Sequence, residues 1–167
     1  GTADSNEVWV DVTVTSGGEV IGRSGGLGER NAVDPWAHRI NVFLLDEEGQ
    51  RIDRRNPQDI RVPLYNHQIP PGAAQVVHYE LQLPEELDDH ITVEIKVQYR
   101  KFDTQYMDFV TGAAREGDNP IRGHVRGEPY ENELPIVTLA SDSVTLPVAG
   151  VDTPLREQRT PHIPEGQ

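Results

Sequence analysis

Six histidines, His38, His67, His78, His90, His124 and His162, are the first residues in this chain to test for chemistry. No pair has the H-E-x-x-H or H-x-H spacing that puts two imidazoles on one face of a helix or strand, so a metal site needs ligands brought together from distant strands. His78 and His90 are expected on solvent faces or at strand ends. The carboxylate pairs Glu85–Glu86 and Asp88–Asp89 are neighbours in a polar loop, whereas glycosidase chemistry needs two carboxyls facing each other across a cleft. Ser5, Ser16, Ser24, Ser141 and Ser143 lie outside any G-x-S-x-G elbow, and cysteine is absent, which removes thiol catalysis, thiolate metal sites and covalent haem attachment. Gly25, Gly26 and Gly28 lack the G-x-G-x-x-G spacing of a dinucleotide site. No enzyme, metal or cofactor is expected.

Aromatic and apolar residues point instead to contact surfaces. Val8, Val10, Val12 and Val14 alternate with Glu7, Trp9, Asp11 and Thr13, the period of a half-buried strand. Trp9 lies on the face opposite the valines, where it is a stacking platform for sugar or is buried against a second protein layer. Trp36, after Asp34-Pro35, is expected to plug one end of the core. Thr153-Pro154 and Thr160-Pro161 suit O-linked sugar on an exported chain, while no N-x-S/T sequon occurs.

The elements that position these residues read as strands. Glu7–Thr15 turns at Ser16-Gly17-Gly18 into a short strand near residues 19–23. Residues 37–45 form a strand that becomes apolar on both faces, and "DEEGQ" turns it around. Residues 51–63 are an irregular crossing broken by Pro57 and Pro63. Val77, Tyr79, Leu81 and Leu83 share a face of the next strand; Ile91, Val93, Ile95, Val97 and Tyr99 line the one after it, and the two are expected to form a hairpin. "KFDTQYMDFV" is strand or helical turn, and "LPIVTLA" and "SVTLPV" close the fold. The sum is an all-β, antiparallel, immunoglobulin-like β-sandwich of about seven to nine strands over residues 1–150, with an extended tail over 151–167 that carries Pro154, Pro161 and Pro164.

The 28 acidic and 15 basic residues give a formal charge of −13, which disfavours phosphate backbones and anionic lipid surfaces. No apolar run reaches the length of a membrane span or signal-peptide core.

The stretches "EVWVDVTV", "GGEVIGRSGGL", "DPWAHRI", "LLDEEGQ", "IPPGAAQVVHYEL" and "VEIKVQYRKF", in that order, resemble the β-sandwich domain towards the C-terminal end of bacterial multihaem c-type cytochromes. The likeness spans about residues 1–146. In that family the haems sit in upstream C-x-x-C-H segments, absent here, and the first sandwich strand precedes a G-H-x-F/L-P-x-G turn whose last glycine corresponds to Gly1. The resemblance therefore implies a sandwich lacking one strand. An unpaired edge and an open groove favour a strand from another chain. The expectation is a non-catalytic, extracytoplasmic assembly module that forms an oligomer or filament with copies of itself, or takes a strand from a longer partner. Val8, Trp9, Val10, Val12, Trp36, Pro154 and Pro161 are its candidate contact residues. An accessory domain of a haem-bearing cytochrome complex, with His38 or His67 as a distal haem ligand, and a carbohydrate-binding module using Trp9 or Trp36 are the alternatives.

Overall fold

The computed structural model describes residues 5–113, 116 and 124–149. Pro154, Pro161, Thr153 and Thr160 lie outside the described residues, as does the whole expected tail. The elements are β1 (Glu7–Ser16), β2 (Glu19–Ser24), β3 (Val42–Leu45), β4 (Val62–Asn66), β5 (His90–Arg100), α1 (Thr104–Thr111) and β6 (Ile136–Pro147), with 3₁₀ turns at Glu29–Asn31 and Pro57–Asp59. The strands form an antiparallel four-stranded sheet in the order β2-β1-β5-β6 and a two-stranded sheet, β3-β4.

The β1–β2 hairpin follows from its turn, where Gly17 and Gly18 take φ of +57° and +85°, a backbone that closes a hairpin without splaying its strands. The first half of β1 has another neighbour: Val10 N–H donates to the His38 carbonyl at 2.9 Å and Ile40 N–H to the Val8 carbonyl at 2.8 Å. Residues 38–40 thus continue the sheet edge where β2 stops.

"KFDTQYMDFV" resolves as helix. The Asp103 carboxylate caps it, accepting from Tyr106 N–H at 2.7 Å, and Gly112 ends it at φ +71°, a start and stop encoded by residue type.

The mostly β, antiparallel character is as expected from sequence, but the described residues hold six strands, in sheets of four and two, rather than seven to nine. Three differences account for this. The expected strand at residues 37–45 begins only at Val42, and the crossing at 51–63 ends in an unforeseen strand, β4. The two closing strands are one, β6, interrupted by a bulge at its pairing with Val97 and Gln98. Residues 74–83 form no regular element and join no strand; β5, their expected hairpin partner, has both edges taken by β1 and β6.

Directly paired residues of an antiparallel sheet share a face. One face of the large sheet therefore carries Val8, Val10, Val12 and Val14 of β1, Ile91, Val93, Ile95, Val97 and Tyr99 of β5, and Val137, Ala140, Asp142, Val144 and Leu146 of β6, with Asp142 opposite Ile95. The buried core on this face is Val10, Val12 and Val14 with Ile21, Ile40, Ile91 and Val93 packed against it. The opposite face carries Glu7, Trp9 and Arg100 and is covered by the loop that holds Val33 and Ala37.

Candidate interaction surface

The β1 valines serve this chain's own core. Val10 and Val12 are buried, Val8 is half-buried, and none of the three offers a partner a free surface. Trp9, at 1% exposure, is also enclosed: its ring packs on Val33 and Ala37, and Nε1 donates to the Gly25 carbonyl at 2.9 Å. It is neither a sugar platform nor an interface residue; the loop at 25–37 supplies its second layer.

Trp36 has the opposite fate. Rather than plugging the core, it stands 90% exposed on a turn that Asp34 fixes. The Asp34 carboxylate accepts from Trp36 N–H at 2.9 Å and Gly25 N–H at 3.1 Å, and the Asp34 carbonyl accepts from Ala37 N–H at 3.0 Å. Pro35 and this Asx turn hold the backbone, so the indole is presented by a fixed support.

The valine-rich face is covered unevenly. Over the β2 side lies the chain segment after Gly72: the Leu81 methyls sit 2.8 Å from where a Gly22 Cβ would be, and Asp88 N–H donates to Ser16 Oγ at 2.9 Å. Burial there raises the Tyr79 phenol pKa, with the Ser24 hydroxyl bond opposing the shift. Over β6, and at Ile95 of β5, the face is open. Val137, Val144 and Leu146 are 50%, 46% and 44% exposed, and Ile95 joins them. All twelve residues of β6 are exposed, and Asp142 is the one charge along it.

The covering segment is itself incomplete. From residue 74 to 87 no backbone N–H or C=O is hydrogen-bonded to another part of the described backbone. Val76, Tyr79, Leu81 and Leu83 are exposed along it. The fold thus has both a sheet face short of cover and a covering segment short of a backbone partner.

Below the other face is a knot of charge that the sequence reading missed. Arg100 donates through Nε at 2.9 Å and through a terminal nitrogen at 2.5 Å to the Glu7 carboxylate, which also accepts from Arg39 at 3.1 Å. Arg51 pairs with Asp103 at 2.6 Å and with Gln105. Burial pushes the Asp103 carboxyl pKa up, and Arg51 opposes that shift. Glu7, Arg39, Arg51, Asp103 and Gln105 floor a cleft of about 500 Å³ walled by Val33, Pro35, Phe43 and Tyr65. The one signal in sequence was a charge at the Trp9-facing position of each paired strand, Glu7 and Arg100.

A row of stacked rings runs along this wall: Arg51 over Phe43 at 4.3 Å, Phe43 on Tyr65 at 5.0 Å, Tyr65 on His67 at 4.6 Å and His67 on His38 at 4.8 Å. The fold does bring His38 and His67 together, but as parallel plates, with His67 Nδ1 3.3 Å from the Arg39 carbonyl. No group of three or more metal-ligating side chains occurs among the described residues. His78 and His90 are exposed, the latter opening β5. Glu85, Glu86, Asp88 and Asp89 are likewise exposed in the loop before it.

A scan of family models, a search of curated proteins and a search of solved structures each returned no match to this chain. Among the described residues no helix is long and apolar enough to cross a membrane.

Proposed function

We propose that this chain is a non-catalytic structural module, working outside the cytoplasm, that assembles by accepting a β-strand and so completes an immunoglobulin-like sandwich. One observation carries the reading: the largely apolar face is closed over β1 and β2 but open over β6 and at Ile95, in a fold whose covering segment, residues 74–87, has no backbone partner.

The magnitudes favour a strand over a merely apolar cover. Burying the exposed halves of Ile95, Val137, Val144 and Leu146 is worth roughly 1 kcal/mol each, at about 25 cal/mol per Å². That total is comparable to the lower end of the roughly 4–15 kcal/mol that association costs in lost freedom. A ladder of main-chain hydrogen bonds to residues 74–87 supplies the remainder, as in other β-augmentation complexes.

Sedimentation velocity over a hundredfold range of concentration tests this. Concentration-dependent oligomers, or a monomer that binds an added apolar strand peptide, are expected. A monodisperse, thermally stable monomer that ignores such a peptide would end the proposal.

Trp36 supports a second reading, carbohydrate binding, because an indole fixed by its turn and 90% exposed is a ready stacking platform. Trp9 is buried and serves as an internal reference, so titrating oligosaccharides against tryptophan fluorescence reports on Trp36. A flat titration in the native protein removes this reading.

A further inference from the structure

We infer that the strand partner of residues 74–87 is the same segment of a second copy, paired antiparallel about a two-fold axis at Tyr79. The inference rests on the strand-complementation reading and names the pair that forms.

The segment's surface and its sequence carry the argument. Val76 is 77% exposed, His78, Tyr79 and Glu80 are exposed, and the backbone from 74 to 87 has no backbone partner among the described residues. In antiparallel pairing with Tyr79 opposite its own copy, Val77 faces Leu81 of the partner subunit and Leu81 faces Val77 of the partner subunit. On the other side of the ribbon, His78 faces Glu80 of the partner subunit and Glu80 faces His78 of the partner subunit. Apolar thus meets apolar on the side turned to the sheet, and each imidazole N–H meets a carboxylate on the side turned to solvent, the kind of cross-strand pair that stabilises sheets.

Registers shifted towards the C-terminus are worse. A shift that centres the axis on Glu80 sets two carboxylates directly opposite. The next, centred on Leu81, sets Pro84, which has no N–H, against His78 and leaves Val77 facing Glu85. These two registers are thus excluded by His78, Glu80 and Pro84, which stand exposed in this chain's own fold.

A ladder this short buries less than the ~800 Å² per partner of a standard stable interface, so the dimer is weak and depends on concentration. Two sets of variants test the pairing. His78→Glu places carboxylates opposite each other at both ends of the ribbon and is expected to weaken dimerisation about tenfold; the swap His78→Glu with Glu80→His restores opposite partners and should return the dissociation constant to within about threefold of the native value. Both positions are exposed, so neither change threatens the fold.

The chain has no cysteine, which makes the second set clean. Paired residues sit ~4.5–5.5 Å apart between Cα atoms, within reach of a disulfide. Mixing Val77→Cys with Leu81→Cys chains under mild oxidation should give a cross-linked heterodimer, while each alone gives several-fold less. Association that persists unchanged in His78→Glu, or equal cross-linking by either cysteine variant alone, overturns this pairing and moves the contact to another surface such as β6, leaving strand complementation standing. A native chain that is monomeric throughout overturns this pairing, and one that also ignores an added apolar strand peptide overturns both.

Discussion

At the scale of single residues, the fold depends on a few positions where no substitute fits. Gly25 takes φ of +79°, and a Cβ there would lie 2.2 Å from the Val10 carbonyl oxygen, while its own carbonyl receives the Trp9 indole. Gly72 has nearly the same φ, +77°, with open space around it. Gly25→Ala should therefore cost about 3 kcal/mol or prevent folding, against about 1 kcal/mol for Gly72→Ala, as measured by urea unfolding; equal costs would show that backbone strain alone decides. Arg100 is fully buried against Glu7. Arg100→Met leaves Glu7 with Arg39 alone and is expected to cost about 3–5 kcal/mol, whereas breaking the exposed Lys96–Glu94 pair costs under about 1 kcal/mol. Asp103 gives a pH signature. Burial raises its folded-state pKa above the ordinary aspartate value, so between that value and the raised one the folded chain holds more proton than the unfolded one. Within that window Asp103 makes stability fall as pH rises, opposite to a carboxylate whose pKa is depressed. Asp103→Asn, which keeps a capping side chain, removes this contribution, and urea midpoints taken at half-unit steps through pH 4–6 read the change of slope.

At the scale of elements, two strands of similar composition have opposite roles. Val12 of β1 is buried and Val144 of β6 is half-exposed. Val12→Ala should cost about 2–3 kcal/mol, the lost burial plus a cavity, while Val144→Thr should cost under about 1 kcal/mol and weaken any strand binding to the open face. Thermal unfolding of the two variants, with peptide binding to the second, separates core from docking surface. The period-2 pattern made β1 and β5 legible in the sequence, and Asp46 to Gln50 reads as a turn because an Asp and a positive-φ glycine, Gly49, build it. Pattern alone does not say who pairs with whom. Residues 76–83 alternate as well as β1 does, yet remain without a ladder, because the edges of β5 were claimed by strands distant in sequence. Trp36 is exposed rather than plugging the core, and Trp9 is buried under a layer that this chain supplies itself. The loop that covers Trp9 carries no periodic signal, and burial on that face depends on its hydrogen bonds to Asp34.

At the scale of the whole molecule, the charge of −13 opposes any contact between copies. In the proposed assembly each chain would approach its twin through a long-range repulsion, while the proposed contact residues add little charge of their own: one Asp along β6 and one Glu within Val77–Leu81. Salt screens the first effect, with a Debye length of about 30 Å at 0.01 M falling to about 8 Å at 0.15 M. It acts less on hydrogen-bonded, apolar pairing at close range. The weight-average mass from sedimentation equilibrium should therefore rise as sodium chloride is raised from about 10 to 150 mM, and change little beyond that. A mass that falls with salt would mean that opposite charges across the contact dominate, contrary to an assembly held by strand edges. Whether association stops at a pair follows from geometry. Two-fold pairing through residues 77–81 consumes that segment in both copies and closes, whereas a second contact through the free edge of β6 lets dimers join into a filament. Introducing Val144→Lys places a charge on the half-open strand β6, a known block to edge pairing. The variant should hold the salt-induced mass at a dimer if native chains grow beyond it, and should leave the mass unchanged if they do not.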